Sequence, residues 1–358
     1  MTNPVKTKLI GLVRAILGGK PSRNHRISDK FRDQSFVLLS PMRNEGANIL
    51  EWLAWHKAVG FTDILVVSNN CDDGSDKLLD HLASMGHLEH LNHNPVAGSF
   101  ALDSAFKAAR KHSLVTSADW VMILDADEFL VVHVGDHTIQ SLIAQNGREC
   151  LGMAINWKCF GDGGQKNWAD GMVRETFTRC AEGADAANMR FKSVFRQPMK
   201  FAGFKSHAPF GYNGEWGGAN SWIDSEGKRL NAIRLVGDTV RRATKKARIT
   251  HVDAQVNHYV TKSQESMLER RQKWERSGRA DRYDAEFEQL YNKNDGLDET
   301  ALANNDKFEQ EYAKLAHDPE VLRMHHACCA AYASKLATLA GKDPSSDARY
   351  LHHLSLSQ

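Results

Sequence analysis

The sequence predicts an α/β fold in which a mostly parallel sheet is flanked by helices. Between residues 36 and 130, short apolar runs alternate with segments of helical spacing, which is typical of parallel strands joined by helices. After about residue 150 the pattern changes to loosely alternating, glycine-rich segments, which predict a second half with a mixed sheet. The polar tail from residue 301 predicts C-terminal helices.

The elements follow in order along the chain. Short apolar runs bounded by polar or turn residues predict strands at residues 36–39, 64–67, 88–91 and 121–124. Helical spacing predicts helices at 49–59, 75–85 and 102–114, the second of them capped by Asp73 or Ser75. In the second half we expect strands at 151–159, 172–180 and 192–196, and a helix that Ser263 caps and that runs to residue 276.

Length and composition limit the class of protein. The 358 residues can fill one large domain or two ordinary ones. The 46 basic and 44 acidic side chains nearly cancel, so charge gives no case for a nucleic-acid partner. The six cysteines form no Cys-x-x-Cys pair, which argues against a zinc knuckle or a disulfide framework and favours a reducing compartment.

Residues 1–30 form a separate N-terminal segment. The stretch from Lys6 to Lys20 is basic and apolar, but Arg14 interrupts an apolar run that is too short to span a bilayer. No cleavage site of small residues follows it, so a signal peptide is not expected. Two alternatives stay open, which are a helix on an anionic membrane surface and a terminal helix packed on the domain.

The most informative stretch places three carboxylates within four residues, Asp125, Asp127 and Glu128, directly after the apolar run 121–124. In open α/β folds, ligands bind at the carboxyl ends of the strands. Neighbouring aspartates repel each other unless a cation lies between them, and hard oxygen ligands suit Mg²⁺ or Mn²⁺. The alternative is that the acids are solvated at a strand end or cap a following helix.

Two other predicted strands also end in polar clusters, residues 43–45 and 69–73. Because parallel strands end at the same edge of a sheet, we expect these clusters to meet the three acids there. The sequence has no G-x-G-x-x-G after the first strand and no G-x-x-x-x-G-K. A nucleotide would therefore be held by a metal and by side chains.

These residues, taken in order, resemble the glycosyltransferase family 2 type of GT-A enzyme, in the branch with a D-x-D-E-F signature. The resemblance covers roughly residues 36–280 and rests on an ordered series of motifs: Pro41-Met-Arg43-Asn44-Glu45, Glu51-Trp52-Leu-Ala-Trp55-His56, Asn69-Asn70-Cys-Asp-Asp73-Gly74, Asp125-Ala-Asp127-Glu128-Phe129-Leu130, Trp157-Lys-Cys-Phe160-Gly161, His207 and His258-Tyr259. It implies a GT-A-like nucleotide-binding sheet, with a nucleotide-sugar half at 31–135, an acceptor half at 136–280 and a helical C-terminal region at 281–358.

The resemblance also implies roles for particular residues. Mn²⁺ or Mg²⁺ would be bound by Asp125, Asp127 and His258, and would bridge the diphosphate of the donor. The residues expected to bind the donor are Arg43, Asn44, Glu45, Asn70, Asp73 and Asp125. Many relatives carry an aspartate that recognises the base where this chain has Asn69-Asn70, so the base is open, and a UDP-sugar is the first expectation.

Enzymes of this type generally invert the configuration of the sugar, and inversion requires a base that removes the acceptor proton. The candidates are Asp162, which lies in a glycine turn, and Glu128, which lies beside the metal; Glu175 and Glu215 also lie in the acceptor half. Four basic residues after His258 either clamp phosphate or form a solvated face: Arg270, Arg271, Lys273 and Arg276.

The expected activity is thus a metal-dependent, inverting hexosyltransferase that acts in surface polysaccharide or glycolipid assembly. Its partners would be a nucleotide-sugar donor and a glycan or glycolipid acceptor, with no nucleic acid. Its location would be cytoplasmic, with peripheral membrane contact through residues 1–30. Two alternatives stay open: a nucleotidyltransferase, although these usually show a glycine-rich loop near the first strand, and a non-catalytic nucleotide- or carbohydrate-binding protein.

Overall fold

The computed structural model describes residues 31, 33–95, 100–147, 149–230, 245–275 and 283–358. The strands in these ranges are β1 (Phe36–Met42), β2 (Asp63–Ser68), β3 (Glu89–Asn92), β4 (Trp120–Ile123), β5 (Glu128–Val132), β6 (Gly152–Cys159), β7 (Arg179–Cys180), β8 (Phe191–Arg196), β9 (Phe201–Phe204), β10 (Pro209–Tyr212), β11 (Trp222–Asp224), β12 (Ala254–His258) and β13 (Gly296–Leu297).

The α-helices in the same ranges are α1 (Ile49–Ala58), α2 (Ser75–Ser84), α3 (Ala101–Ala109), α4 (Ser113–Thr116), α5 (Ile139–Asn146), α6 (Val173–Thr176), α7 (Gln264–Glu275), α8 (Ala285–Tyr291), α9 (Asn305–Ala316), α10 (Pro319–Leu339) and α11 (Ala348–Leu356). Short 3-10 helices occur at Ala186–Met189, Pro198–Lys200, Lys246–Arg248, Thr300–Asn304 and Pro344–Ser346.

One nine-stranded sheet organises the fold, in the order β3–β2–β1–β4–β8–β6–β12–β5, with β11 beside β6. Strands β3, β2, β1 and β4 are parallel, as the alternating pattern predicted. From β8 onward the sheet is mixed, because β8 is antiparallel to β4 and β6, while β12 is parallel to β6 and antiparallel to β5. The predicted fold class, a mostly parallel sheet flanked by helices with a mixed second half, is confirmed.

The continuous apolar runs of β1 and β2 are buried because helices cover both faces of the sheet. Alternate residues of β1 contribute to two cores: Phe36 and Leu38 face α1 and α2, whereas Val37 and Leu39 face α3. The C-terminal helices extend the first core, since α9 packs on α1 and α10 packs on α2. The C-terminal helices α9 and α10 therefore pack behind α1 and α2, the helices that follow the ends of β1 and β2.

Two local predictions were wrong in detail. The strand predicted at 172–180 is instead the short helix α6 followed by the two-residue strand β7. The reason is a distant contact, because the carboxylate of Glu51 accepts hydrogen bonds from the backbone N–H groups of Val173 (2.7 Å) and Arg174 (3.1 Å). The helix predicted at 102–114 is divided into α3 and α4, where the ring of His112 accepts a bond from the N–H of Leu114.

The N-terminal segment, residues 1–30, lies outside the described residues, so its membrane contact stays a prediction. Across the described ranges, no helix has both the length and the apolar character that a bilayer span requires.

Candidate active site

The first two polar clusters meet at the carboxyl ends of β1 and β2. Arg43 donates from Nε to the carbonyl oxygen of Asn70 at 3.1 Å. Asn44 and Asp72 exchange two bonds, from Asn44 Nδ2 to Asp72 Oδ1 at 2.6 Å and from the Asp72 N–H to Asn44 Oδ1 at 2.9 Å. Both Asn44 and Asn70 have positive φ, 58° and 44°, which asparagine tolerates better than most residues. The loops thus form one connected rim, as the parallel arrangement predicted.

Asp73 joins this rim to the start of α2. Its carboxylate accepts bonds from the N–H of Gly46 at 3.1 Å and from the N–H of Ser75 at 2.9 Å. Both oxygens are therefore engaged by backbone groups. Asp73 holds the two loops together, and direct contact of its side chain with a donor stays a prediction.

The turn between β4 and β5 carries the three acids, and a buried lysine from β8 neutralises two of them. Lys192 Nζ lies 2.9 Å from Asp125 Oδ2 and 2.7 Å from Glu128 Oε2, and its side chain is 0% exposed. Glu128 Oε2 also accepts the N–H of Asp125 at 2.8 Å. Burial alone would lower the pKa of Lys192, but the two carboxylates raise it above its usual value.

Lys192 was missed by sequence reasoning, although its strand was predicted. The only local signal was a charged residue inside the apolar run Phe191-Lys-Ser-Val-Phe195. A lysine is almost never fully buried unless it is paired, so this position indicated a hidden acidic partner. Its partners lie more than 60 positions away along the chain, and sequence distance concealed the pairing.

Asp127 points into a different environment, formed by β12 and α7. Its Oδ2 accepts a bond from Arg270 Nη2 at 2.8 Å, and its Oδ1 lies 3.9 Å from His258 Nε2. Burial alone would raise the pKa of Asp127, but Arg270 and the nearby Lys262 hold that pKa well below its usual range. Asp127 is therefore an anion although it is only 6% exposed.

His258 is placed by its strand and by an aromatic stack. It ends β12, where it pairs with Glu128 of β5, and its ring stacks on Trp157 with centroids 4.0 Å apart. Burial lowers the pKa of His258 to about 4, even though Asp127 opposes the change. At neutral pH the imidazole is therefore uncharged, which is the state that ligates a metal.

Further charged groups surround Arg270. Lys262 donates to Asn48 at 3.2 Å, and Lys273 donates to the carbonyl oxygen of Arg43 at 3.3 Å. Burial raises the pKa of Glu45, although Lys273 and Lys262 lower it in part. Three cations, Arg270, Lys262 and Lys273, thus face two acids, Glu45 and Asp127, and the excess of positive charge suits a polyanion such as a diphosphate.

Not every predicted residue joins this group. The carboxylate of Asp162 accepts bonds from the Gly164 N–H at 2.9 Å and from Asn292 Nδ2 at 3.1 Å, which closes its turn. Glu128 is 0% exposed, so no acceptor group can reach its side chain in this conformation. Arg271 pairs with Glu288 and donates to the carbonyl oxygen of Tyr283, and Arg276 lies outside the described residues.

Asp127 and His258 are close enough to share one divalent cation, but among the described residues the predicted set of Asp125, Asp127 and His258 does not come together as three ligands of one ion. Two ligands with bonds of about 2.0–2.2 Å to one ion lie no more than about 4.4 Å apart, and Asp127 Oδ1 and His258 Nε2 are 3.9 Å apart. Asp125 is held by Lys192 through one oxygen only, and its side chain is 41% exposed. A carboxylate combined with a neutral imidazole favours Mn²⁺ over Mg²⁺, because Mg²⁺ prefers oxygen ligands.

Comparisons with known proteins agree with an enzyme of this type. The model of glycosyltransferase family 92 matches residues 37–290. A glycosyltransferase family 92 protein of Oryza sativa subsp. japonica is 28% identical over 109 residues, which are 30% of this chain and 18% of the rice protein. The match therefore spans less than a fifth of that relative's length. The motifs resembled family 2, whereas the matching model is that of family 92; both are glycosyltransferase families.

Solved structures with similar folds include mannosyltransferase PcManGT from Pyrobaculum calidifontis, in complex with GDP-Man and Mn²⁺. It is 14% identical, covers 98% of this chain and 92% of its own, and has a TM-score of 0.36. The structure of S. aureus TarS residues 1–349 is 10% identical in sequence and has a TM-score of 0.34. The match covers 90% of this chain and 88% of the TarS chain.

Proposed function

This chain belongs to glycosyltransferase family 92, and we propose that it is a glycosyltransferase that transfers a sugar from a nucleotide-sugar donor at the edge formed by β1, β2 and β4. The observation that carries the proposal is the excess of cationic groups around Asp127. Arg270 and Lys273 from α7, and Lys262 from the loop before α7, converge there, next to the rim made by the first two strands. A diphosphate matches that charge, and the nucleoside would lie along the rim residues Arg43, Asn44 and Asn70.

A divalent cation, Mn²⁺ in preference to Mg²⁺, belongs to this proposal. Bound to the donor, it would act as a Lewis acid that neutralises charge on the leaving diphosphate. Asp127 and His258 would hold it, and Asp125 has the exposure to join them. Arg270 stays on the other oxygen of Asp127 and fixes the carboxylate. Lys192 holds the side chain of Asp125, and Glu128 accepts a hydrogen bond from the backbone N–H of Asp125.

We further propose that transfer inverts the anomeric carbon. A general base must come within hydrogen-bond reach of the acceptor hydroxyl. Both predicted bases are engaged inside the protein, Glu128 with Lys192 and Asp162 with Asn292. We therefore propose that Glu128 and Asp162 hold other groups in position and do not act as the base. We expect the base to be a different residue, one that contacts the acceptor hydroxyl once the acceptor is bound. Proton NMR of the product, which reports the anomeric configuration, tests inversion.

For the finer features of the donor and acceptor, the support is the resemblance of the sequence motifs alone. We propose a UDP-sugar as the first donor to test and a hydroxyl of a glycan or glycolipid as the acceptor. The cysteine pattern supports a reducing, cytoplasmic location, and the basic, apolar stretch from Lys6 to Lys20 supports peripheral contact at an anionic membrane surface. Binding to vesicles with and without anionic lipid, compared between the full chain and a chain lacking residues 1–30, tests that contact.

The direct test is a transfer assay with a panel of UDP- and GDP-sugars and glycan acceptors in Mn²⁺, with products identified by mass spectrometry. Asp127→Asn should reduce the rate on the order of 100-fold or more, because it removes a charge that holds the cation and Arg270. Asp103→Asn is the matched control, since Asp103 is a half-exposed carboxylate on α3 that pairs with Lys205. Equal rates in wild type and Asp127→Asn would refute the site.

A further inference from the structure

A second group of metal-ligating side chains lies away from Asp127, where α10 and α11 meet the loop at residues 162–172. Cys329 Sγ is 3.5 Å from His325 Nε2, and the same nitrogen is 4.0 Å from Asp170 Oδ1. The other oxygen of Asp170 is 3.8 Å from His353 Nε2, and His353 Nδ1 is 3.1 Å from His326 Nδ1. We call these five residues the C-terminal cluster.

The helix and the loop hold the cluster in place independently of any ion. His325 and Cys329 are four positions apart on α10, so their side chains share one face of the helix. The loop that carries Asp170 is fixed at Trp168, whose N–H donates to Glu265 at 2.8 Å and whose carbonyl accepts from Arg349 at 2.8 Å. The three chain segments are therefore brought together by contacts outside the cluster.

We propose that His325, Cys329 and Asp170 bind one divalent transition-metal ion of the zinc class. Zinc takes sulfur, imidazole and carboxylate ligands at about 2.0–2.3 Å, which places the ligand atoms of a tetrahedral site about 3.3–3.6 Å apart. The separation of Cys329 Sγ from His325 Nε2, 3.5 Å, lies in that range. Asp170 is 4.0 Å from His325 and 39% exposed, so it has room to close the remaining distance.

The ligand types of the cluster fit such an ion. Zinc binds cysteine as the thiolate and histidine as the neutral imidazole, so an ion must displace the proton of the Cys329 thiol. Binding therefore releases a proton and strengthens as the pH rises. A fourth position would be filled by water or by His353.

The cluster contains a second triad, formed by Asp170, His326 and His353. Its ligand atoms are also close together, but it offers no sulfur, and His326 is less buried than His325. Thiolate is a ligand that zinc prefers, and desolvated ligands bind more tightly than solvated ones. The triad with Cys329 is therefore the one we assign.

An ion at this position would tie α10 to the loop of residues 162–172. The same helix supports the first polar cluster, because a Cβ added at Gly46 would overlap Cys328, the neighbour of Cys329. The ion would thus stabilise the helix on which the rim of the active site rests, without touching Asp127. The proposal does not depend on the proposed transfer reaction.

Cobalt substitution of the full-length protein tests the proposal. Co²⁺ bound to a thiolate shows a charge-transfer absorption in the near ultraviolet that oxygen and nitrogen ligands do not produce. We expect wild type to show this band at one equivalent of Co²⁺ and to lose it when one equivalent of Zn²⁺ is added. We expect Cys329→Ser to lack the band, and we expect Asp170→Asn, at an exposed site that leaves the fold intact, to bind Zn²⁺ at least about tenfold more weakly.

Two controls locate the ion. Cys328→Ser changes the adjacent thiol, and Asp127→Asn changes the other candidate cation site; both should retain the band. The proposal is overturned if wild type shows no band, if Cys329→Ser retains it, or if Cys328→Ser abolishes it. It is also overturned if Zn²⁺ affinity falls in His326→Gln and is unchanged in His325→Gln, since that result would place the ion in the other triad. Circular dichroism of each variant confirms that it is folded.

Discussion

The rim, extended here to the neighbouring acids Asp125, Asp127 and Glu128, and the C-terminal cluster use similar side chains, but the chain assembles them in opposite ways. At the rim, three acids lie within four residues at the end of a buried strand, and the parallel sheet brings two further loops to the same edge. In the cluster, the ligands come from residue 170 and from positions 325–329, which are far apart in the sequence and are brought together by helix packing and by the hydrogen bonds of Trp168. The first arrangement can be recognised from local sequence, and the second cannot.

The electrostatics of the two regions differ as well. At the rim, buried cations already neutralise the carboxylates: Lys192 holds Asp125 and Glu128, and Arg270 holds Asp127. In the cluster, the single carboxylate of Asp170 faces imidazoles and a thiol that burial keeps uncharged. The carboxylates at the rim therefore have cationic partners within the protein, whereas among the described residues Asp170 pairs with histidines and with no lysine or arginine.

The largest expected effect tests the buried cation beneath the rim. Lys192→Met should lower the free energy of unfolding by about 3–5 kcal/mol, because it removes the cation that offsets the burial of Glu128, whose pKa burial raises to about 8 even with Lys192 in place. Urea denaturation measures this loss. Adding Glu128→Gln to the same variant should restore much of it, since Asp125 is exposed enough to stay solvated. If Lys192→Met alone were as stable as wild type, the ion pair of Lys192 and Glu128 would contribute nothing to the free energy of unfolding.

The next effect depends on pH and concerns His56, which supports β5 from helix α1. Its Nδ1 bonds to the Trp52 carbonyl at 2.8 Å and its Nε2 accepts from the Leu130 N–H at 3.4 Å, so only the neutral ring fits. Burial lowers its pKa to about 3 from 6.5. Because the unfolded state binds the proton more tightly, the stability that this site contributes is complete above pH 6.5 and falls on acidification.

We expect that loss to be about 1.4 kcal/mol per pH unit between pH 6.5 and about 3. His56→Gln should remove this contribution to the dependence of unfolding free energy on pH, whatever the variant's stability at neutral pH. Chemical denaturation of both proteins at several pH values measures that dependence. An unchanged slope in His56→Gln would mean that the ring is protonated in the folded protein.

A smaller effect tests the contact between the two regions. Gly46→Ala places a methyl group against Cys328 of α10, and overpacking of this kind costs about 1–3 kcal/mol of stability. Gly183→Ala is the matched control, because no atom lies within 4 Å of its added Cβ. Thermal melting of both variants separates the two cases. Equal melting temperatures would show that α10 does not rest on the Gly46 loop.

The smallest effect is expected on the surface of the C-terminal helices. Lys314 is 61% exposed and pairs with Glu311 at 2.6 Å, three positions earlier on α9. Lys314→Met should change the free energy of unfolding by no more than about 0.5 kcal/mol, because water screens exposed pairs. This variant makes the same substitution as Lys192→Met, and denaturation of the two proteins side by side compares a solvated lysine with a buried one.

These differences explain what the sequence could and could not predict. The strands β1, β2 and β4 and the joining of their loops follow from apolar runs and from the geometry of parallel strands. Lys192 and the contact of Glu51 with α6 were missed, because each depends on partners that lie far away in the sequence. The same contact converted a predicted strand into a helix. The division into segments at residues 30, 135 and 280 stays a prediction.

The cysteine pattern illustrates the same limit. The absence of a Cys-x-x-Cys pair correctly described the local sequence, but it could not reveal a thiol that meets histidine and aspartate through packing. Likewise, Asp162 was predicted from its glycine turn, and the structure shows that its carboxylate closes that turn.

Calorimetric titration of nucleoside diphosphates, UDP first and then GDP, into wild type and Asp127→Asn measures donor binding at the site around Asp127. We expect wild type to bind one diphosphate per chain, more tightly with Mn²⁺ than without it. We expect Asp127→Asn to lose this dependence on Mn²⁺. Equal affinity in both proteins, with no response to the metal, would contradict a donor site around Asp127.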